Sequence, residues 1–115
     1  MFRVVWTESA AQTYNELKEA ARKSLKARSK KTKKKASRQE GLFKQVHKCI
    51  QLLCTNPRHP GLNTHAYHSL VNPYDSNGKV FEAHVQQHTP GAFRVFWCYG
   101  PKKEEITILA ITPHP

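Results

Sequence analysis

Acidic side chains are scarce in this chain, with eight Asp and Glu against nineteen Lys and Arg in 115 residues. Carboxylates this few, and nowhere clustered, offer no constellation for magnesium, which asks for oxygen ligands in near-octahedral array. Cysteine is scarce as well. Cys49, Cys54 and Cys98 are odd in number and show no CxxC spacing, which argues against a secreted disulfide framework and against a cysteine-rich zinc module. No apolar run approaches the roughly twenty residues that cross a bilayer. The opening Met1 to Trp6 is too short for a signal peptide, and charge returns at Glu8. These absences lead to the expectation of a soluble, cytoplasmic protein with reduced thiols and no membrane partner.

Positive charge is what the chain does have. The formal net charge is +11, and ten basic residues with no acidic one lie between Arg22 and Arg38. Elsewhere the two signs nearly balance. A uniformly basic, histone-like protein is thereby excluded, and a globular body carrying one cationic element is indicated. The low hydrophobic content of 38% and mean hydropathy of −0.68 are diluted by that one stretch. The length suits a single domain over residues 1–115.

The apolar pattern orders the elements. Phe2 to Trp6 is β-branched and aromatic and reads as a buried strand. Thr7 or Ser9 supplies a helix N-cap, Ser9 having Gln12 at capping-box spacing. Ala10, Tyr14, Leu17, Ala21 and Leu25 then recur at helical intervals, about five turns. The apolar stripe stops in the lysine run, so about 29–37 reads as a connection between helices. A second helix starts near Gln39 or Gly41, with Leu42, Phe43, Val46, Ile50, Leu53 and Cys54 on its apolar face. It ends at Asn56-Pro57, since the residue before proline is pushed out of the α region. Four strands follow: Thr64 to Leu70, Val80 to Gln86, Ala92 to Tyr99 and Ile106 to Ile111, with turn signals at Asp75-Ser76-Asn77-Gly78, Thr89-Pro90-Gly91 and Gly100-Pro101. The order β-α-α-β-β-β-β predicts an α+β fold, an antiparallel meander packed against an N-terminal helical hairpin.

Several residues stand out against this background. Arg94 lies mid-strand in Phe93-Arg94-Val95-Phe96-Trp97, where an unpaired buried cation is strongly unfavourable. Period-two geometry sends Arg94, Phe96 and Cys98 to one face and Val95 and Trp97 to the other. Glu82 and His84 on the preceding strand are the expected neighbours of Arg94. Either Arg94 simply pairs with Glu82, or it is held on an open sheet face to receive a phosphate, with Phe96 and Cys98 flooring a shallow cleft. His114 follows the last strand between two prolines. Seven histidines raise the question of a metal. His65 and His68 would point to opposite faces of a strand, and His84 and His88 would stand about 13 Å apart along one. Neither pair chelates an ion by itself, and zinc would need ligands converging from several strands. No metal and no cofactor are expected. Lys30, Lys31, Lys33, Lys34, Lys35 and Arg38 read either as a solvated, disordered loop or as a polyelectrolyte contact for nucleic acid, salt-sensitive and without sequence preference.

Taken together, the first strand, the hairpin ending in Asn56-Pro57, the Arg94 strand and the run Ile106 to Thr112 followed by Pro113-His114 resemble the RelE/ParE toxin superfamily. The pattern is similar to the YoeB and HigB-like members, in which a histidine follows the last strand. The resemblance implies a RelE-like fold and the toxin of a toxin–antitoxin pair, a metal-independent endoribonuclease. Its substrate would be RNA, including ribosome-bound mRNA, and its partner a cognate antitoxin. It also implies that Arg94 and His114 are catalytic; Glu82 or His84 as the base follows from strand geometry alone. Two departures accompany it: Pro115 stands where several of these toxins carry a catalytic aromatic, and the lysine-rich connection is unusually long. The alternatives are a non-catalytic nucleic-acid-binding module of the same fold, and a ParE-like inhibitor of a protein target such as gyrase.

Overall fold

The structure, a computed structural model, describes residues 1–29, 37–87 and 91–113, and only the backbone of Arg28 and Ser29. Its elements are β1 (Arg3–Trp6), α1 (Glu8–Ser29), α2 (Arg38–Thr55), a 3-10 turn (Pro60–Leu62), β2 (His65–Ala66), β3 (Phe81–His84), β4 (Phe93–Tyr99) and β5 (Glu105–Pro113). Lys30, Lys31, Lys33, Lys34 and Lys35 of the expected connection, and His88 and His114, lie outside the described residues.

Side-chain caps set where the helices begin. At α1 the choice falls on Thr7: its hydroxyl accepts the Ala10 N–H at 3.1 Å and donates to the Leu109 carbonyl at 3.0 Å, so one residue caps the helix and ties it to β5. α2 starts at a complete capping box, Ser37 with Glu40, which satisfies two orphan donors reciprocally. Ser24 reaches across from α1 to the same box, 2.5 Å from the Ser37 hydroxyl and 3.1 Å from the Glu40 carboxylate. α2 stops at Thr55, with Asn56 extended before Pro57 as the sequence implies.

The sheet has the order β1-β5-β4-β3-β2. From β2 to β5 it is the expected antiparallel meander, but β1 lies parallel to β5, from Arg3 opposite Glu105 to Trp6 opposite Ile108. The pairing of β1, which the sequence left open, makes the sheet mixed. The long excursion through both helices lets the first strand come back beside the last in the same direction. The predicted strand from Thr64 to Leu70 contracts to His65–Ala66.

One face of the sheet takes the hairpin. Ala10, Tyr14 and Leu17 of α1 and Val46, Cys49, Ile50 and Leu53 of α2 pack on Ala83, Val95, Trp97, Ile106, Ile108 and Ile111. Ile108 and Ile111 both point inward although three residues apart, which a regular strand forbids. The β4–β5 register slips by one residue between Phe96 and Trp97, and this bulge re-phases the strand.

The other face is not open, as the sequence suggested for Phe96 and Cys98. Both are buried. Tyr67 places its ring 4.6 Å from that of Phe96, and the Tyr74 hydroxyl lies 2.9 Å from that of Thr107. Asn72 shapes the covering loop by donating to the Lys79 carbonyl and accepting from the Tyr74 and Asp75 N–H groups. β4 is apolar on both faces, so the segment between β2 and β3 folds over it. Among the described residues, no helix is long and apolar enough to cross a membrane.

Candidate active site

Beyond the end of that covering loop, the far face carries polar side chains. Strand pairing sets His65 opposite Glu82 and His84 opposite Arg94, and Arg94 in turn faces Thr112 of β5. Residues directly opposite in antiparallel strands share a face. Three strands that follow one another along the chain therefore bring His65, Glu82, His84 and Arg94 together. Sequence reasoning anticipated the last three. It missed His65 as their companion, because the signal is a two-residue strand whose pairing no local pattern reveals.

Glu82 is 1% exposed, and a carboxylate so buried needs a partner. Its Oε1 lies 2.5 Å from His65 Nε2. The other ring nitrogen of His65, Nδ1, lies 3.2 Å from the Asn63 carbonyl, so the backbone fixes the ring orientation. Asn63 sits in the left-handed region, with φ of 51°, at the end of the 3-10 turn, a conformation asparagine tolerates better than most residues. It turns the chain into β2 and holds His65 in the same step. The rings of His65 and His84 meet edge-on at 5.3 Å.

Arg94 is buried, 9% exposed, and not laid open on the sheet as expected. Its Nη1 donates to the carbonyls of Gln86 at 2.7 Å and Phe93 at 3.1 Å, while Nε has no hydrogen-bond partner among the described residues. Two carbonyl dipoles solvate the guanidinium without neutralising it. The burial follows from the chain end of β3, where Gln86 curls over β4; its Oε1 also accepts the Phe93 N–H, at 3.1 Å.

The start of α2 lies toward this same end of the molecule. α2 runs from there toward the start of β1, where the Cys54 carbonyl accepts the Phe2 N–H at 2.7 Å. Midway along the helix, Gln45 receives the Gln86 amide at 3.1 Å. Arg38, exposed in the first turn of α2, therefore lies on the side of Gln86 and Arg94. On α1 Arg22 is engaged by Glu19 as an i, i+3 pair, which holds the Glu19 carboxyl below its usual range. The last described residue, Pro113, pairs with Phe93, so the chain leaves β5 one position from Arg94.

Among solved structures the chain is similar along nearly its whole length to a YoeB/ParE toxin from Agrobacterium tumefaciens. The TM-score is 0.62 at 10% identity, over 98% of this chain and 99% of that one. The fold is that of the RelE/ParE toxins. A copper-bound mutant toxin from Helicobacter pylori (TM-score 0.55, 15% identity, 99% and 96% covered) and an archaeal RelE–RelB complex from Pyrococcus horikoshii (0.55, 13%, 97% and 93%) share this RelE-like architecture. No family model and no curated protein sequence matches the chain. At such identities it is the RelE-like arrangement of strands and hairpin, and not the side chains, that is held in common.

Proposed function

We propose that this chain is the toxin of a toxin–antitoxin pair and a metal-independent endoribonuclease. The observation that carries the reading is the placement of Glu82, His84 and Arg94 on one face of β3 and β4, at the end where β5 runs out toward His114. RNA cleavage by its own 2′-hydroxyl needs a base for that proton, a cation for the charge on the phosphorane and an acid for the departing 5′-oxygen. In this reading Glu82 or His84 takes the proton and Arg94 faces the non-bridging oxygens. His114 protonates the leaving oxygen, giving a 2′,3′-cyclic phosphate and a 5′-hydroxyl end. Lys30, Lys31, Lys33, Lys34, Lys35 and Arg38 hold the RNA backbone without reading its sequence. The RelE–RelB complex among the similar structures supports a cognate antitoxin as partner.

Burial of Arg94 against two carbonyls favours a second reading, a nucleic-acid-binding module of this fold without catalysis. One experiment separates them. Purified chain is incubated with a defined RNA, and the products are examined for cyclic phosphate ends, alongside Arg94→Ala and His114→Ala. Cleavage by the wild type that both variants lose supports the ribonuclease. RNA binding with no cleavage, or cleavage indifferent to both substitutions, discards it.

A further inference from the structure

We propose that His65, Glu82 and His84 form a binding site for one divalent transition-metal ion of the zinc class. Their ligand atoms, two imidazole nitrogens and a carboxylate oxygen, all lie within 4.8 Å of one another. In a tetrahedral zinc site, with bonds near 2.0–2.1 Å, donor atoms stand about 3.4 Å apart, a spacing reached here by small side-chain rotations. Ligands from β2 and β3 converge across the register, which no pair along a single strand achieves.

Three features suit an ion better than a chance cluster. His65 Nδ1 lies at hydrogen-bond distance from the Asn63 carbonyl while Nε2 is aimed at Glu82. A backbone acceptor on the far nitrogen is the arrangement that orients a metal-bound histidine and makes it a better donor. Glu82 is already buried beside imidazole nitrogen, so the dehydration a ligand carboxylate must undergo is met by the fold. His65 is 54% exposed at its side chain, which provides an entry path and leaves a coordination position for water. Two nitrogens and one oxygen fit zinc or cobalt; magnesium prefers all-oxygen sites and copper(I) prefers sulfur.

Zinc and cobalt(II) are each titrated into the full chain under a non-chelating reductant, following stoichiometry by calorimetry and the cobalt d–d bands by absorption. One ion per chain is expected, with a low-coordinate spectrum that lacks a thiolate charge-transfer band. His65→Ala, Glu82→Gln and His84→Ala should each weaken binding by about tenfold or more, while His68→Ala and His47→Ala leave it unchanged. His65 belongs to a two-residue edge strand, so its variant decides the matter should His84→Ala fail to fold. A thiolate band, no saturable binding, or equal loss in His68→Ala overturns the proposal. None of these readouts uses RNA cleavage, so they stand whichever way the cleavage assay falls.

Discussion

Arg94 stands directly opposite His84 across β3 and β4, yet its Nη1 turns to the Gln86 carbonyl at 2.7 Å. The strand register thus fixes the side chain in the polar cluster, and the curled end of β3 aims it. A guanidinium held by its own backbone is preorganised: part of its donor set is committed to position, and Nε is still without a partner among the described residues. Arg94→Ala is expected to lower RNA cleavage about 10²-fold or more. It should also lower stability by about 1–3 kcal/mol, because two carbonyls lose their donor. His114→Ala should match the loss of cleavage without the loss of stability. Parallel cleavage rates and thermal melts check both, and an Arg94→Ala protein that melts lower but cleaves normally would assign Arg94 to structure alone.

Chelation offers an independent check on the chemistry. Cleavage should persist in EDTA, since base, cation and acid are all side chains. Added zinc should slow it by occupying Glu82 and His84, with EDTA restoring the rate. Loss of cleavage in EDTA with rescue by zinc is the outcome that would make the ion a participant.

RNA affinity should fall steeply with salt. Replacing Lys30, Lys31, Lys33, Lys34 and Lys35 with glutamine removes five positive charges. The slope of log affinity against log salt should then flatten by up to about 3.5 on single-stranded RNA, as fewer counterions are released. An unchanged slope would move the RNA contact elsewhere on the molecule.

Cys49, packed between α2 and the sheet, has its thiol pushed up to about 12 by burial. A thiol that stays protonated when folded but ionises near its ordinary value when unfolded stabilises the fold fully below that value. That contribution is lost as pH rises from about 9 toward 12. The slope of the loss reaches about 1.4 kcal/mol per pH unit for one proton. Urea unfolding from pH 8 to 11 should show a shallower decline in Cys49→Ala than in wild type. Superimposable pH dependences would place the thiol in contact with water.

Ser37 joins the two helices at the capping box and at Ser24. Ser37→Ala should cost about 1 kcal/mol, within the usual range for a lost N-cap. A chemical melt measures it, and an unaltered midpoint would mean the hairpin tip contributes nothing to global stability.

The residues themselves carried a good deal of this molecule. Periodicity alone separated Val95 and Trp97 from Arg94, Phe96 and Cys98, and the structure keeps that division, because side-chain direction in a strand alternates wherever the strand ends up. Helix 2 was legible for a similar reason, since a cap, an apolar face and a proline stop are all local signals. The RelE-like order of elements was readable from the same kind of pattern.

What lay outside that reach depends on residues distant in sequence. The parallel pairing of β1 with β5 joins Arg3 to Glu105, and nothing near either residue encodes it. The one-residue slip that brings both Ile108 and Ile111 inward answers the packing of a helix face, not β5 itself. Tyr67 and Tyr74 cover Phe96 and Thr107 because a central strand apolar on both sides has to be covered by whatever chain is near, and only the closed fold decides which. His65 shows the same division most plainly. Its spacing from His68 argued against a metal held along a single strand. Its place beside Glu82 and His84 exists only once β2 pairs with β3, because ligand geometry is set by the distance between strands and not by the count of residues along one.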